Sequence, residues 1–358
     1  MSESGQPGRL AKIRRWMGGG LLSLPGAIYG WVVAARIRLY DWGVLKTHRL
    51  PGRVISVGNL TVGGTGKTPC VAWIARFLAG EGERVAILSR GYRRESRGRV
   101  EVADGERVLV TAREAGDEPW LLARACPGVR VVVDRERYAA GRWLSGRAEV
   151  SVFLLDDGYQ HLPLARDLNL LLVDAGDPLP SSRMVPRGRL REPLGGVDRA
   201  DAVIVTRSDQ DYDRLALAEW LGRRLRPGTP VFHATHALTG FYELGTGRVV
   251  EPRQLAGRPV AAIAGIARPE RFYADLRGLG IDLQWTRSFP DHHRYRAADV
   301  AAIFDGAAGA EAVLMTEKDA ANWPLEVPMA RPLLVGRIEF RCREEEALKA
   351  LLRTVPRR

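Results

Sequence analysis

The chain has 358 residues, with 46% apolar and 27% charged side chains. This balance excludes a disordered chain and gives length for about two domains. Lysine and arginine number 54 against 42 aspartate and glutamate, a net charge of +12; the excess points to an anionic partner such as a nucleotide, a nucleic acid or an anionic membrane surface, although a coding bias toward arginine gives the same sign. Cys70, Cys126 and Cys342 lie far apart without CxxC spacing, which argues against a disulfide framework or zinc site and fits a reducing compartment.

Residues 1–15 are polar, basic and rich in Gly and Ser, and read as a disordered tail. Residues 16–35 carry no charge but hold five glycines and Pro25, which disfavours a continuous spanning helix. From Ile28 onward, Ile28, Trp31, Val32, Ala35, Leu39 and Trp42 recur at helical spacing, with Arg36, Arg38 and Asp41 off the stripe. An amphipathic helix with aromatics and flanking cations suits a membrane interface. Residues 1–49 are therefore read as a tail and a membrane-interfacial helix.

A short β-rich run, Arg53–Val57, precedes a glycine loop, Thr61-Val62-Gly63-Gly64-Thr65-Gly66-Lys67-Thr68. The loop fits G-x-x-x-x-G-K-[ST] except that Thr61 replaces the first glycine. Glycines let successive backbone N–H groups approach phosphate oxygens, and the helix N-terminus adds partial positive charge. Lys67 is expected to neutralise the β/γ-phosphates of a bound ATP or GTP, and Thr68 to offer its hydroxyl to Mg²⁺. Val71, Ile74, Ala75 and Leu78 continue at helical spacing, and Gly80 ends the helix.

Apolar strands follow at Val85–Leu88, Val129–Val133, Val152–Leu155, Leu168–Val173 and Ala202–Val205. Continuous apolar strands alternating with helices predict a mostly parallel sheet covered by helices on both faces, of P-loop NTPase type, over residues 50–225. Val260–Ala264 and Ala312–Met315 predict a smaller second α/β domain over residues 226–358.

Gly116-Asp117-Glu118-Pro119 is either a helix N-cap or a general base for a hydroxyl nucleophile; spacing does not separate the two. Asp156 and Asp157 end an apolar strand, where a P-loop protein places its Mg²⁺ acid. Gln160 and His161 follow within one turn and can donate to phosphate or to a sugar hydroxyl. Arg90, Arg93 and Arg94, and later Arg187, Arg189 and Arg191, form arginine clusters suited to phosphate. Asp291-His292-His293 sets a carboxylate beside imidazoles, and adjacent histidines that point to different sides do not share a metal. Thr206-Arg207-Ser208-Asp209 and Thr316-Glu317-Lys318-Asp319 loosely follow the [NT]-K-x-D guanine-reading pattern, the first with Arg in place of Lys.

Taken together, VGNLTVGGTGKTP (57–69), ILSRGY (87–92), GDEP (116–119), LLDDGYQH (154–161), Arg166-Asp167, LREP (190–193), AGIARPERFY (264–273), FPDHH (289–293) and TEKDA (316–320) resemble the tetraacyldisaccharide 4′-kinase family of lipid A synthesis. A small hydroxyl residue at position 61 is usual there; Arg93, where the family commonly has glycine, departs from it. The resemblance implies a kinase that moves the γ-phosphoryl of ATP to the 4′-hydroxyl of a tetraacylated glucosamine disaccharide 1-phosphate. The place of work is the cytoplasmic face of a Gram-negative inner membrane. By the same resemblance Asp117 is the base with His292 as its partner, Glu118, His161, Arg191, Glu192 and Arg90 support the acceptor, and no nucleic acid takes part. The rival reading is a membrane-associated P-loop ATPase switch acting on a protein partner, which needs neither Asp117 nor His292.

Overall fold

The structure, a computed structural model, describes residues 23–176 and 183–356. The expected tail and the start of the uncharged run lie outside the described residues. Helix α1 (Ser23–Asp41) comes first. The first lobe then runs β1 (Arg53–Asn59), α2 (Lys67–Gly80), β2 (Val85–Ser89), β3 (Val100–Asp104), α3 (Ala112–Ala115), α4 (Asp117–Ala125), β4 (Arg130–Val133), α5 (Arg137–Ser145), β5 (Val152–Asp156), β6 (Leu168–Asp174), β7 (Ala202–Thr206) and α6 (Arg214–Gly222). The remainder runs β8 (Val231–Glu243), β9 (Val249–Val250), β10 (Pro259–Ala264), α7 (Pro269–Gly278), β11 (Asp282–Ser288), α8 (Ala297–Gly306), β12 (Ala312–Thr316), α9 (Glu317–Ala321), β13 (Leu333–Cys342) and α10 (Glu345–Thr354).

All the strands join one sheet in the order β11-β10-β12-β13-β8-β7-β6-β1-β5-β2-β4-β3, with β9 on β8. Strand β1 lies between β5 and β6, parallel to both. Every residue of β1, β5, β6 and β7 is buried, as their largely apolar sequences require when helices cover both faces. On one face Val71, Ile74 and Leu78 of α2 pack with Leu122 of α4; on the other Ala140 and Leu144 of α5 pack on Val54 and Phe153.

The sheet passes the expected boundary near residue 226 without a break. Strand β8 is parallel to β7 and antiparallel to β13, so two long strands link the lobes. Helix α10, at the end of the chain, returns to the first lobe: Leu348, Leu352 and Val355 share the core of α2 and β1. Arg53 holds it there, donating to the Val355 carbonyl at 3.0 Å and pairing with Glu83 at 2.7 Å.

Helix α1 occupies the stretch expected to be helical, and its apolar stripe faces outward. Trp31 and Trp42 are 75% and 72% exposed, and Ile28 and Val32 are exposed beside them. The opposite side sits on the 184–191 segment through Gly26 and Gly30, where a Cβ at Gly30 would lie 3.0 Å from Met184 Cγ. No described helix is long and apolar enough to cross a membrane.

Candidate active site

Parallel strands deliver their C-terminal ends to one edge of the sheet, where ligands bind in open α/β folds. Here that edge opens into a cleft of about 1400 Å³ lined by both lobes. The glycine loop leaves β1 and enters α2 at Gly66, the N-cap, whose φ of 77° favours glycine. A Cβ there would also lie 2.0 Å from Cε1 of His236. The imidazole of His236 hydrogen-bonds the Gly66 carbonyl at 3.3 Å. Burial, then the charge of Arg207, pushes it down to about 4, so it is neutral and adds no cation.

Lys67 is buried and donates to Asn59 Oδ1 at 3.1 Å, with Asp157 Oδ1 at 3.5 Å. The Asn59 amide in turn donates to Thr61 Oγ1 at 3.3 Å. The hydroxyl at position 61 thus ties the start of the loop to the residue that orients its lysine, which glycine has no side chain to do.

Asp156 ends β5 and Asp157 follows at φ 51°, a left-handed turn that aims its carboxylate back at the loop. Burial, then the charges of Glu118 and Asp157, raises Asp156 to about 7 although Ser89 donates to its Oδ2 at 2.9 Å. Burial also penalises Asp157, but Lys67 and Arg191 outweigh it and hold the group at about 2; Arg191 Nη1 reaches Asp157 Oδ2 at 2.5 Å. The Oδ1 atoms of both aspartates are buried without a hydrogen-bond partner. Together with the half-buried Thr68, they fit a divalent cation that takes oxygen ligands and completes its shell with phosphate and water.

Gly116, at φ 88°, caps α4 without a side-chain bond, and Asp117 and Glu118 occupy the first helical turn. That position frees both carboxylates to face the second lobe. Asp117 Oδ2 lies 2.8 Å from His292 Nδ1. Burial raises Asp117, yet hydrogen bonds from His292 and Asn322 more than offset this and hold it below the usual carboxylate value. A carboxylate acceptor places the proton on His292 Nδ1. Asp291, the neighbour in sequence, sits 3.8 Å from His292 Nε2, beyond hydrogen-bond range. His293 turns away to Asp299 at 3.2 Å and stacks on Phe289, as expected of adjacent histidines.

Glu118 pairs with Lys318 at 3.0 Å, and Thr316 and Asp319 form the capping box of α9 that presents this lysine. Arg93, at φ 59°, shows why glycine suits its position; here its guanidinium donates to the Asp291 carbonyl at 3.1 Å, and Arg294 pairs with Glu95. The same loop therefore clasps the segment that carries His292.

His161 is buried beside Arg137, with Nδ1 at 3.5 Å from its guanidinium. Burial, then Arg137, Arg166, Arg36 and Arg90, pushes it down to about 3. Its Nε2 and Arg137 Nε are buried without partners, and both residues line the cleft with Arg90. Glu192 is 1% exposed. Its oxygens take Gln160 Nε2 at 2.9 Å and Arg199 at 2.6 Å, so it acts on the cleft through Gln160. Arg137 and Asn59 were not singled out from the sequence as site residues, and Lys318 entered only as part of the Thr316–Asp319 stretch, not as the partner of Glu118. Arg137 follows the end of β4, and its strand-end position is the signal that marks it.

Helix α1 borders the same cleft: the Tyr29 hydroxyl donates to the Arg191 carbonyl at 3.2 Å and Arg36 to the Gln160 carbonyl at 3.4 Å.

The sequence profile described as tetraacyldisaccharide-1-P 4′-kinase matches residues 20–357. The tetraacyldisaccharide 4′-kinase of Geobacter sulfurreducens is 41% identical over 335 residues, covering 93% of this chain and 92% of that protein. Its counterpart from Geobacter metallireducens is 44% identical over 303 residues, covering 84% and 87%. The crystal structure of LpxK from Aquifex aeolicus in complex with ATP matches with a TM-score of 0.78 at 35% identity, over 93% of this chain and 98% of that one. Profile, relatives and fold agree over nearly the whole length: the chain belongs to the tetraacyldisaccharide 4′-kinase family.

Proposed function

We infer that the protein is an ATP-dependent kinase that phosphorylates the 4′-hydroxyl of a tetraacyldisaccharide 1-phosphate, the lipid A precursor. The family supports the acceptor, and the Asp117–His292 pair, whose imidazole lines the same cleft as the glycine loop, carries the reading at the level of chemistry. ATP lies with its phosphates on the N–H groups of residues 62–68 and its γ-phosphate toward Lys67 and Asp157. The acceptor oxygen attacks the γ-phosphorus, the bond to the β–γ bridging oxygen breaks, and Asp117 takes the hydroxyl proton. A carboxylate of low basicity suffices because the loose transition state of phosphoryl transfer makes modest demands on its base. His292 orients that carboxylate and supports its charge. Thr68, Asp156 and Asp157 would hold Mg²⁺, directly or through water, and the cation supplies charge neutralisation at the β- and γ-phosphates.

Glu118, His161, Arg191 and Arg90 line the wall along which the disaccharide head enters, and Glu192 positions Gln160 there. Helix α1 rests on an anionic leaflet, consistent with inner-membrane work at the cytoplasmic face. Its outward tryptophans and arginines suit that interface. No nucleic acid enters this scheme. A switch ATPase has no use for a base pointed at an acceptor, and the family match is to a kinase. The test is transfer of label from γ-labelled ATP into a purified tetraacyldisaccharide 1-phosphate. Hydrolysis without lipid labelling would reject the kinase reading in favour of the switch.

A further inference from the structure

The Thr206-Arg207-Ser208-Asp209 turn is tied to the phosphate loop residue for residue. Thr206, at the end of β7, donates through Oγ1 to the Thr65 carbonyl at 3.0 Å. Arg207 donates through Nη2 to the Gly64 carbonyl at 2.8 Å. Neighbouring residues of one segment thus hold neighbouring carbonyls of the other. Arg207 does this at φ 56°, a strained conformation for a residue with a side chain, and its other guanidinium nitrogen pairs with the buried Asp174. The result is a flat cation fixed beside the loop and lining the cleft.

The sheet order decides what lies at this flank. Strand β1 has β5, with Asp156 and Asp157, on one side and β6 then β7 on the other. The β5 side is the transfer end, where Lys67 and Asp157 meet. A triphosphate laid along the loop therefore carries its nucleoside toward β7. Two residues past Arg207, Asp209 is exposed at that end. Its carboxylate makes no hydrogen bond or ion pair among the described residues, and it borders both the cleft and an adjoining recess of about 440 Å³.

The geometry points to this turn as the purine-reading element of the nucleotide site. The Arg207 guanidinium stacks on the base plane, and the Asp209 carboxylate accepts a hydrogen bond from an N–H at the base edge, which for adenine is the 6-amino group. This rests on ATP being the phosphoryl donor. It also explains the likeness to a guanine-reading pattern: guanine offers the same carboxylate its ring N–H and 2-amino group.

Equilibrium displacement of a ribose-labelled fluorescent ATP from the full chain tests it, with ATP, purine riboside triphosphate (which lacks the 6-amino group), inosine triphosphate and tripolyphosphate as competitors. The wild-type protein binds ATP about 10-fold more tightly than purine riboside triphosphate, the expected effect of one hydrogen bond to a charged acceptor. Asp209→Ala binds the two equally and binds tripolyphosphate as the wild type does. Asp209→Asn, whose amide can donate, shifts preference from ATP toward inosine triphosphate, whose 6-oxygen accepts. The same order of preference in all three proteins overturns the assignment. Because binding needs no lipid acceptor, failure of lipid phosphorylation would leave this result standing.

Discussion

At the residue scale the site is a set of charges arranged to be unequal. Asp156 and Asp157 are adjacent, yet one is raised to about 7 and the other held at about 2: burial and the charges of Glu118 and Asp157 dominate at the first, whereas the ion pairs with Lys67 and Arg191 outweigh burial at the second. Asp117 is held low by its bond to His292. Asp117→Ala is expected to lower kcat by about 100-fold or more with the KM for ATP little changed; initial rates with a purified acceptor check this, and an unchanged kcat would remove Asp117 from the chemistry. Glu317 behaves differently: burial raises it to about 7 against the opposing charges of Arg337, Arg76 and Arg124. The fold therefore prefers its neutral form. That contribution is fully present below the unfolded value of 4.5 and is lost as pH rises through about 7. Glu317→Gln should match the wild type in Tm at pH 4 and exceed it at pH 8. An equal difference at both pH values would contradict this sign.

At the element scale, short motifs acquire meaning from the ends of strands and helices. GDEP admitted two readings in the sequence, a cap or a base. In the fold Gly116 is the cap, which leaves Asp117 free to face His292. The strands legible as continuous apolar runs, β1, β2, β4, β5, β6, β7, β10 and β12, are the parallel ones buried on both faces. Strands β3, β8, β11 and β13 were not legible because they are half-exposed or at an edge and carry polar residues between the apolar ones. Helix α1 was read from its stripe, but only packing shows that the stripe faces out while glycines bury the other side. Trp31→Ser with Trp42→Ser should weaken co-sedimentation with anionic vesicles and leave nucleotide binding unchanged, since neither ring touches the cleft. Gly30→Leu should displace α1 from Met184 and raise the KM for the lipid acceptor more than that for ATP, read from paired saturation curves.

At the scale of the whole molecule, one sheet carries both lobes, and the last helix returns to the first lobe. Leu348 is fully buried against the α2 core, so Leu348→Ala should cost about 2–5 kcal/mol. Urea unfolding measures that loss, and hydrogen exchange should place it in β1 and α2 rather than in β10 and β12. Protection lost only in β10 and β12 would show that α10 does not support the first lobe. The sequence alone determined the phosphate loop, the parallel strands, the acidic strand end and the family motifs, because each rests on local spacing or on burial that one strand or helix declares by itself. The tertiary structure decided which carboxylate meets which histidine, that Lys67 meets Asp157 beside the loop, and that Arg207 is tied to the phosphate loop with Asp209 bordering the same cleft. Those contacts join residues up to 175 positions apart, and only the order of strands in the sheet brings them together.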